Sequence, residues 1–498
     1  MRSSRANLFR PDRLWTGSLA ALLFALTGCD HAGATADDRA SPVTLTLAYG
    51  LSTSSDASTG LPQALELIAG ETLIGFGRDG RPLPRLARSV ELSPDGLHLK
   101  ILLRTNAKFH DGRPVTAKDV SENLRDRLQS TLGAGFADVA EVRASSPAEV
   151  EIVLKRRSAF VLEALADAGI RGSEVGEGQS NGTGPFKIVQ LSENGAEMVA
   201  NDDYYAGRPL IDRIEVRPYS SVRAAWADML RGRADMLYEV GPDAIEILQP
   251  SKAVRVISHL RNYQFVGMLN LRQPKLKDPG FRRALNSAID RQSLVSDVLK
   301  GHGLPADSAV WPSNWAYDST APAFAYQPRE IGGARIKLTC LLGEVALERF
   351  ALAIQQQLQR IGVDLECELL PVNKVVARVR QGDFDLFLID LQNGPTLLQA
   401  YRTWRTRSPR NMGGYSNPKV DAALDQISIS ANDDEYRAGV AALQRAIYED
   451  PPAIFIAWSE RARAVSTRFD VPIEPGRDIL GTLRQWKPVP EHMLSTQN

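Results

Sequence analysis

Between residues 390 and 410 the chain gathers many side chains able to hold a ligand. Asp390, Gln392 and Asn393 follow an apolar run, Gly394-Pro395 comes next, and Tyr401, Arg402, Trp404, Arg405, Arg407 and Arg410 lie just beyond. Gly-Pro suits the start of a helix, whose free backbone N–H groups favour anions, and Arg405 shares a helical face with Tyr401 one turn earlier. Such a set fits a carboxylate-bearing or phosphorylated ligand. The competing reading is a solvated basic face with Trp404 packed inward, because arginine is usually exposed.

Catalytic chemistry has less support. Gly75, Gly77 and Gly80 keep a G-x-G-x-x-G spacing, but they follow a helical segment, and Arg78-Asp79-Gly80 reads as a turn. A dinucleotide site needs a strand before the glycines, so a hairpin is the better reading. The six histidines, His31, His98, His110, His259, His302 and His492, form no i, i+4 pair and have no cysteine at metal spacing. No nucleophile-elbow, Walker or Ser-x-x-Lys pattern occurs. The expectation is a binding protein with no catalytic residues, no cofactor and no metal held directly by side chains.

The elements that must position these residues follow from periodicity. Alternation predicts strands over 43–50, 97–103 and 149–154, and helical spacing returns over 121–128 and 222–230. A strand, helix, strand unit spans 336–370, followed by a helix over 372–380 and a strand over 385–389. Its helix puts Leu347, Phe350, Ala351, Ile354, Leu358 and Ile361 on one face, a core stripe. In Ala107–Val120 a tight turn at Asp111-Gly112 leads through Pro114 to Thr116, which can cap a helix with Asp119 at its third position.

This last segment and several others recur as a set. Leu67–Leu73, Pro84–Ser89, Ser93–Gly96, Gly182–Phe186, Arg231–Asp235, Phe281–Leu285 with Ala288–Arg291, Gln381–Asp385 and Gly414–Asp421 stand in one order along almost the whole chain. In that order they resemble the family 5 (peptide/nickel type) extracellular solute-binding proteins of ABC importers. The resemblance implies an α/β, periplasmic binding protein-like fold (class II, cluster C type), with two lobes joined by a two-crossing hinge that closes around a ligand. The expected division is residues 1–28 a signal peptide, 29–42 a lipidated stalk, 43–266 lobe I with an inserted subdomain, 267–459 lobe II, and 460–498 a return to lobe I.

The function so implied is capture of a small organic solute, peptide or anionic, and delivery to a permease and ATPase complex by a monomer. The alternatives are an envelope sensor or chaperone, and an envelope hydrolase. By resemblance the cleft would also be lined by Tyr49, Tyr238, Glu239, Asn270, Trp311 and Trp315. In peptide-binding relatives an acidic residue near Gln392-Asn393 holds the ligand's α-amino group; Asp390 is the one candidate, at the strand end. Nickel-type relatives use an isolated histidine, and none of the histidines matches it.

At the N-terminus, Arg2, Arg5, Arg10 and Arg13 precede an apolar run from Leu14 to Leu26, too short for a permanent span but suited to a secretory signal. Leu26-Thr27-Gly28-Cys29 resembles a lipobox with Cys29 lipidated, and Asp30 resembles a signal for retention at the inner membrane, placing the protein in the periplasm on that membrane's outer face. Residues 1–28 hold four arginines and one aspartate, so the remainder carries 55 Lys+Arg against 58 Asp+Glu, a balance that implies no nucleic-acid partner. Cys340 and Cys367 fall on strands expected to be parallel neighbours, where a disulfide is geometrically awkward, and two buried thiols are expected.

Overall fold

The turn and cap form as their residue types dictate. Gly112 takes φ 88° and donates to Phe109 O at 2.9 Å. Thr116 accepts from Asp119 N–H, and the Asp119 carboxylate accepts from Thr116 N–H, closing a capping box on the helix Ala117–Leu132. That helix buries Val120, Leu124, Leu128 and Leu132. It packs on a four-stranded antiparallel sheet ordered Ala87–Leu92, His98–Leu103, Glu149–Leu154, Val139–Ser146. The computed structural model describes residues 42–50, 60–172, 181–192, 194–474 and 478–490. The signal segment, Cys29 and most of the stalk lie outside the described residues.

The rest of the chain is organised by one mixed sheet of eleven strands. On one side of it Thr44–Gly50 pairs in parallel with Arg213–Tyr219 and Met236–Val240. On the other, Ile336–Leu342 lies parallel to Val363–Leu369 and Leu386–Gln392. The helix Glu348–Gln359 crosses over this second unit, and every residue of the predicted stripe, Leu347 through Ile361, is buried. Burial of each large apolar side chain there stabilises by about 1.5–3 kcal/mol. Cys340 and Cys367 pair in register and are both free thiols, Cys340 buried and Cys367 half-buried.

Two long antiparallel strands, Val254–Leu269 and Ala453–Ser466, join the halves. Residues 254–260 pair with 460–466 in lobe I, and 264–268 pair with 453–458 in lobe II. The register slips between Leu260 and Gln264, so the outward crossing sits at Arg261, Asn262 and Tyr263. The expected boundary at 266/267 falls inside the paired strand; the slip occurs where three polar side chains interrupt its apolar pattern.

Residues 71–172 are inserted into lobe I in sequence, and their base is fixed there. The buried Glu71 carboxylate accepts from Tyr204 Oη (2.7 Å), Tyr205 Oη (2.8 Å) and Thr183 Oγ1 (3.2 Å). In the Gly182–Phe186 segment a Cβ on Gly182 would come within 2.1 Å of Ala69 O, so only glycine allows this approach. The other end of the insertion leans on lobe II: its apolar core is continuous with Leu397, Leu398, Tyr401, Leu424, Val440 and Leu443.

Candidate functional site

Charge concentrates where the two long strands cross. Arg261 donates to the Asp390 carboxylate and, at 2.7 Å, to Ser459 Oγ, while its guanidinium lies 4.7 Å from the Tyr263 ring centre. Asp390 is half-buried, and desolvation pushes its carboxyl above the ordinary carboxylate range against the pull of Arg261. Arg461 reaches Glu239 at 3.7 Å. Glu344, beyond the strand Ile336–Leu342, is raised by burial and then by the like charges of Asp390 and Glu239. Three carboxylates and two arginines therefore face one another between the lobes.

A second layer lies on the lobe I side. Arg463 is fully buried and forks onto Asp478, at 3.2 Å through Nε and 2.5 Å through Nη2. Its guanidinium covers the Tyr238 ring at 3.9 Å, and Tyr49 packs 5.7 Å from Tyr238, centre to centre. His259, 4.0 Å from Asp478, is held neutral by burial, its pKa near 4. Among the described residues, nine buried side-chain polar atoms lack a hydrogen-bond partner, and six belong to Tyr238, His259, Asp390, Asn393, Arg461 and Arg463. Buried polar atoms are rarely left so. Both donors and acceptors are among them, so the crossing can receive a ligand group of either sign.

On the lobe II side, the 392–396 loop is stitched to the crossing. Asn393 N–H donates to Asn262 O, Asn393 Nδ2 to Gln264 Oε1, and Asn262 Nδ2 to Gly394 O. Gln392 is half-buried in the strand beside Tyr263. Trp311 stands edge-on to Trp458 at 4.9 Å and donates from Nε1 to Arg78 O. The Gly75–Gly80 segment is the expected hairpin, Ile74–Phe76 pairing with Pro82–Pro84. Its tip reaches lobe II, where a Cβ on Gly80 would lie 2.6 Å from Pro395 O.

The other predicted residues are placed elsewhere. Trp315 stacks on Tyr436 at 4.9 Å under Arg81, at the far seam between insertion and lobe II. Asn270 is fully buried and gives Nδ2 to Gly382 O and Phe384 O, both at 2.9 Å, which makes it a brace of the lobe II backbone. Trp404 packs in the core against Phe455. Arg405 forks onto Asp425 at 2.9 and 3.0 Å.

The expected anion site at the helix start is already filled. The helix is Leu398–Trp404, and Leu398 N–H donates at 2.8 Å to Glu163 of the insertion, which also accepts from Tyr436 Oη at 3.0 Å. Full burial lifts this carboxyl to about 7. The sequence reading missed Arg261, Glu344, Arg461, Arg463 and Asp478. For the three arginines a signal was available: Glu460, Arg461 and Arg463 interrupt an otherwise apolar strand, as Arg261 interrupts its partner.

Among the described residues no group of three His, Cys, Asp or Glu side chains could hold a metal ion, and no helix is long and apolar enough to cross a membrane.

Residues 81–412 match the family described as bacterial extracellular solute-binding proteins, family 5 (middle region). The oligopeptide-binding protein AppA of Bacillus subtilis is 23% identical over 451 residues, covering 80% of this chain and 83% of its own. Its structure with a nonapeptide aligns with a TM-score of 0.74 at 20% identity, over 90% of this chain and 100% of that one. The glutathione-binding protein GsiB of Pectobacterium atrosepticum is 27% identical over 458 residues, 83% of this chain and 87% of its own. The structure of NikZ from Campylobacter jejuni with Ni(L-His) gives a TM-score of 0.75 at 22% identity, over 89% and 99% of the two chains.

Proposed function

The chain belongs to the bacterial extracellular solute-binding proteins of family 5, the solute-capturing components of ABC importers, and from that premise we propose that its solute is a zwitterion of peptide type bound at the strand crossing. The observation that carries this is the set of unpaired buried donor and acceptor atoms on Asp390, Asn393 and Arg461. An ammonium group is matched by Asp390, Glu344 and Glu239, and a carboxylate by Arg461. Trp311 and Tyr238 supply apolar walls. Relatives named for oligopeptide and glutathione take ligands with both charges, which supports this reading.

The protein binds and releases its solute without changing it. It works as a monomer, tethered through a lipid on Cys29 to the outer face of the inner membrane, and hands its solute to the permease. The lipobox-like Leu26–Cys29 supports the tether; a Cys29→Ser chain should then leave the membrane fraction for the soluble one.

The ligand reading is tested by native mass spectrometry on that soluble chain with a mixture of di- and tripeptides. The leading peptide is then compared with its N-acetylated and C-amidated forms. Each blocked form should bind about tenfold weaker or more, the cost of removing a charge-assisted partner. Equal binding of all three would end the zwitterion reading.

A further inference from the structure

Away from the crossing, the structure holds a pocket of about 270 Å³, between the end of the helix Ala117–Leu132 and the segment 401–410. Its walls carry Arg402, Arg405, Arg407 and Arg410, with Ser130 and Thr131 opposite, and no carboxylate among its lining residues. The arginines are unequally served. Arg405 has Asp425. Arg402, half-buried, reaches Asp167 at 3.8 Å, and Arg410, which hydrogen-bonds Gln399 at 3.3 Å, acts by charge on the same Asp167, so one carboxylate is shared by two arginines. Among the described residues Arg407 has no partner, and it sits at φ 60°, a left-handed conformation that a bulky side chain adopts at a cost.

Burial, and after it the like charge of Arg410, holds the Arg402 guanidinium below its ordinary value against the pull of Asp167, so a further anion in the recess would relieve the repulsion that remains. The volume is just below the usual range for small-molecule sites, about 300–1,000 Å³. Arginine forks match tetrahedral oxyanions, and hydroxyls complete such a site. One wall belongs to the insertion and the other to lobe II, so the pocket is whole only when the two meet.

We propose that this pocket binds a phosphate-type oxyanion, inorganic phosphate or a phosphomonoester, and that the bound anion holds the insertion against lobe II. The site is separate from the crossing and does not depend on the solute bound there. It differs from the helix-start site suggested by sequence, since it uses the opposite end of the same short helix.

The test is equilibrium dialysis of the Cys29→Ser chain with inorganic phosphate at fixed ionic strength, chloride making up the balance, alongside binding to phosphatidylglycerol vesicles. The variant is Arg407→Gln/Arg410→Gln, both positions being exposed. Saturable phosphate binding in the parent, weakened about tenfold or more in the variant, is expected, because each arginine supplies a charge-assisted bond. Vesicle binding lost in the variant, without free phosphate binding, would assign the same site to a lipid headgroup phosphate. No saturable binding of either, or equal binding by a variant with unchanged circular dichroism and melting temperature, would overturn the proposal.

Discussion

Glu163 Oε2 accepts the Leu398 backbone N–H at 2.8 Å across a sequence separation of 235 residues. The insertion therefore supplies a hydrogen-bond acceptor for a lobe II helix start, and the two parts share a buried ionisable group. Tyr436 Oη completes the contact at 3.0 Å. Opening this seam exposes the carboxyl to water; closing it buries the carboxyl.

The seam should respond to pH with a definite sign. Burial raises the Glu163 carboxyl from an ordinary 4.5 to about 7, and Asp167 adds to the rise, while Thr396, Tyr436 and Leu398 oppose it. The closed seam thus binds the proton more tightly than the open one. Its stabilisation is complete below about 4.5, falls as pH rises, and is gone above about 7. The loss is at most about 3 kcal/mol. Other buried groups titrate too, so the informative quantity is parent minus Glu163→Gln. Between pH 5 and pH 8 the melting temperature of the parent should fall relative to the variant; parallel profiles would remove Glu163 from the seam's energetics.

Local patterns were legible because they are set by nearest neighbours. Thr116 and Asp119 lie three residues apart, and the Leu347–Ile361 stripe follows from a 3.6-residue period, so both formed as read. The arginine-rich helix was placed within a few residues of its true span, yet the partners of its start and of Arg405 were not legible. Glu163 and Asp425, which answer Leu398 and Arg405, come from other elements, and no spacing rule reaches them. Arg461 and Arg463 were overlooked for a different reason. Charges inside a strand normally mark its end, whereas here they face a crossing between lobes.

Asn270 separates a structural from a binding role. Its Nδ2 serves two backbone carbonyls, with Gln273 Nε2 reaching the same pair at 3.4 and 3.3 Å. Asn270→Ala should cost about 1–3 kcal/mol in urea unfolding, since Gln273 compensates only in part. Peptide affinity of the folded variant, read by titration calorimetry, should stay within about twofold of the parent. A large affinity loss at unchanged stability would instead make Asn270 a ligand contact.

Cys340 and Cys367 stand in register on adjacent parallel strands without a bond between them. In the Cys29→Ser chain, alkylation under denaturing conditions should add two groups without prior reduction. In the folded chain only half-buried Cys367 should react readily, because the attacking thiolate must be accessible. A chain that takes up no reagent until reduced would show that the strands tolerate a bridge.

The Arg463–Asp478 pair carries the strongest stability prediction. Burial alone would raise the Asp478 carboxyl, but the Arg463 guanidinium outweighs burial and holds it down at about 2. A depressed carboxyl contributes stability that is present above its ordinary 3.8 and is lost as pH falls through about 2. The pair therefore survives mild acid, and acid unfolding above pH 3 must begin elsewhere. Asp478→Asn leaves a fully buried guanidinium without its counter-ion, a change that costs about 3–5 kcal/mol. Replacing both partners by apolar residues, Arg463→Met with Asp478→Leu, should recover most of that loss, because neither charge is then stranded. Urea unfolding of the three chains measures both effects. A single variant within about 1 kcal/mol of the parent would mean that water reaches Arg463, and that this layer of the crossing is open to solvent.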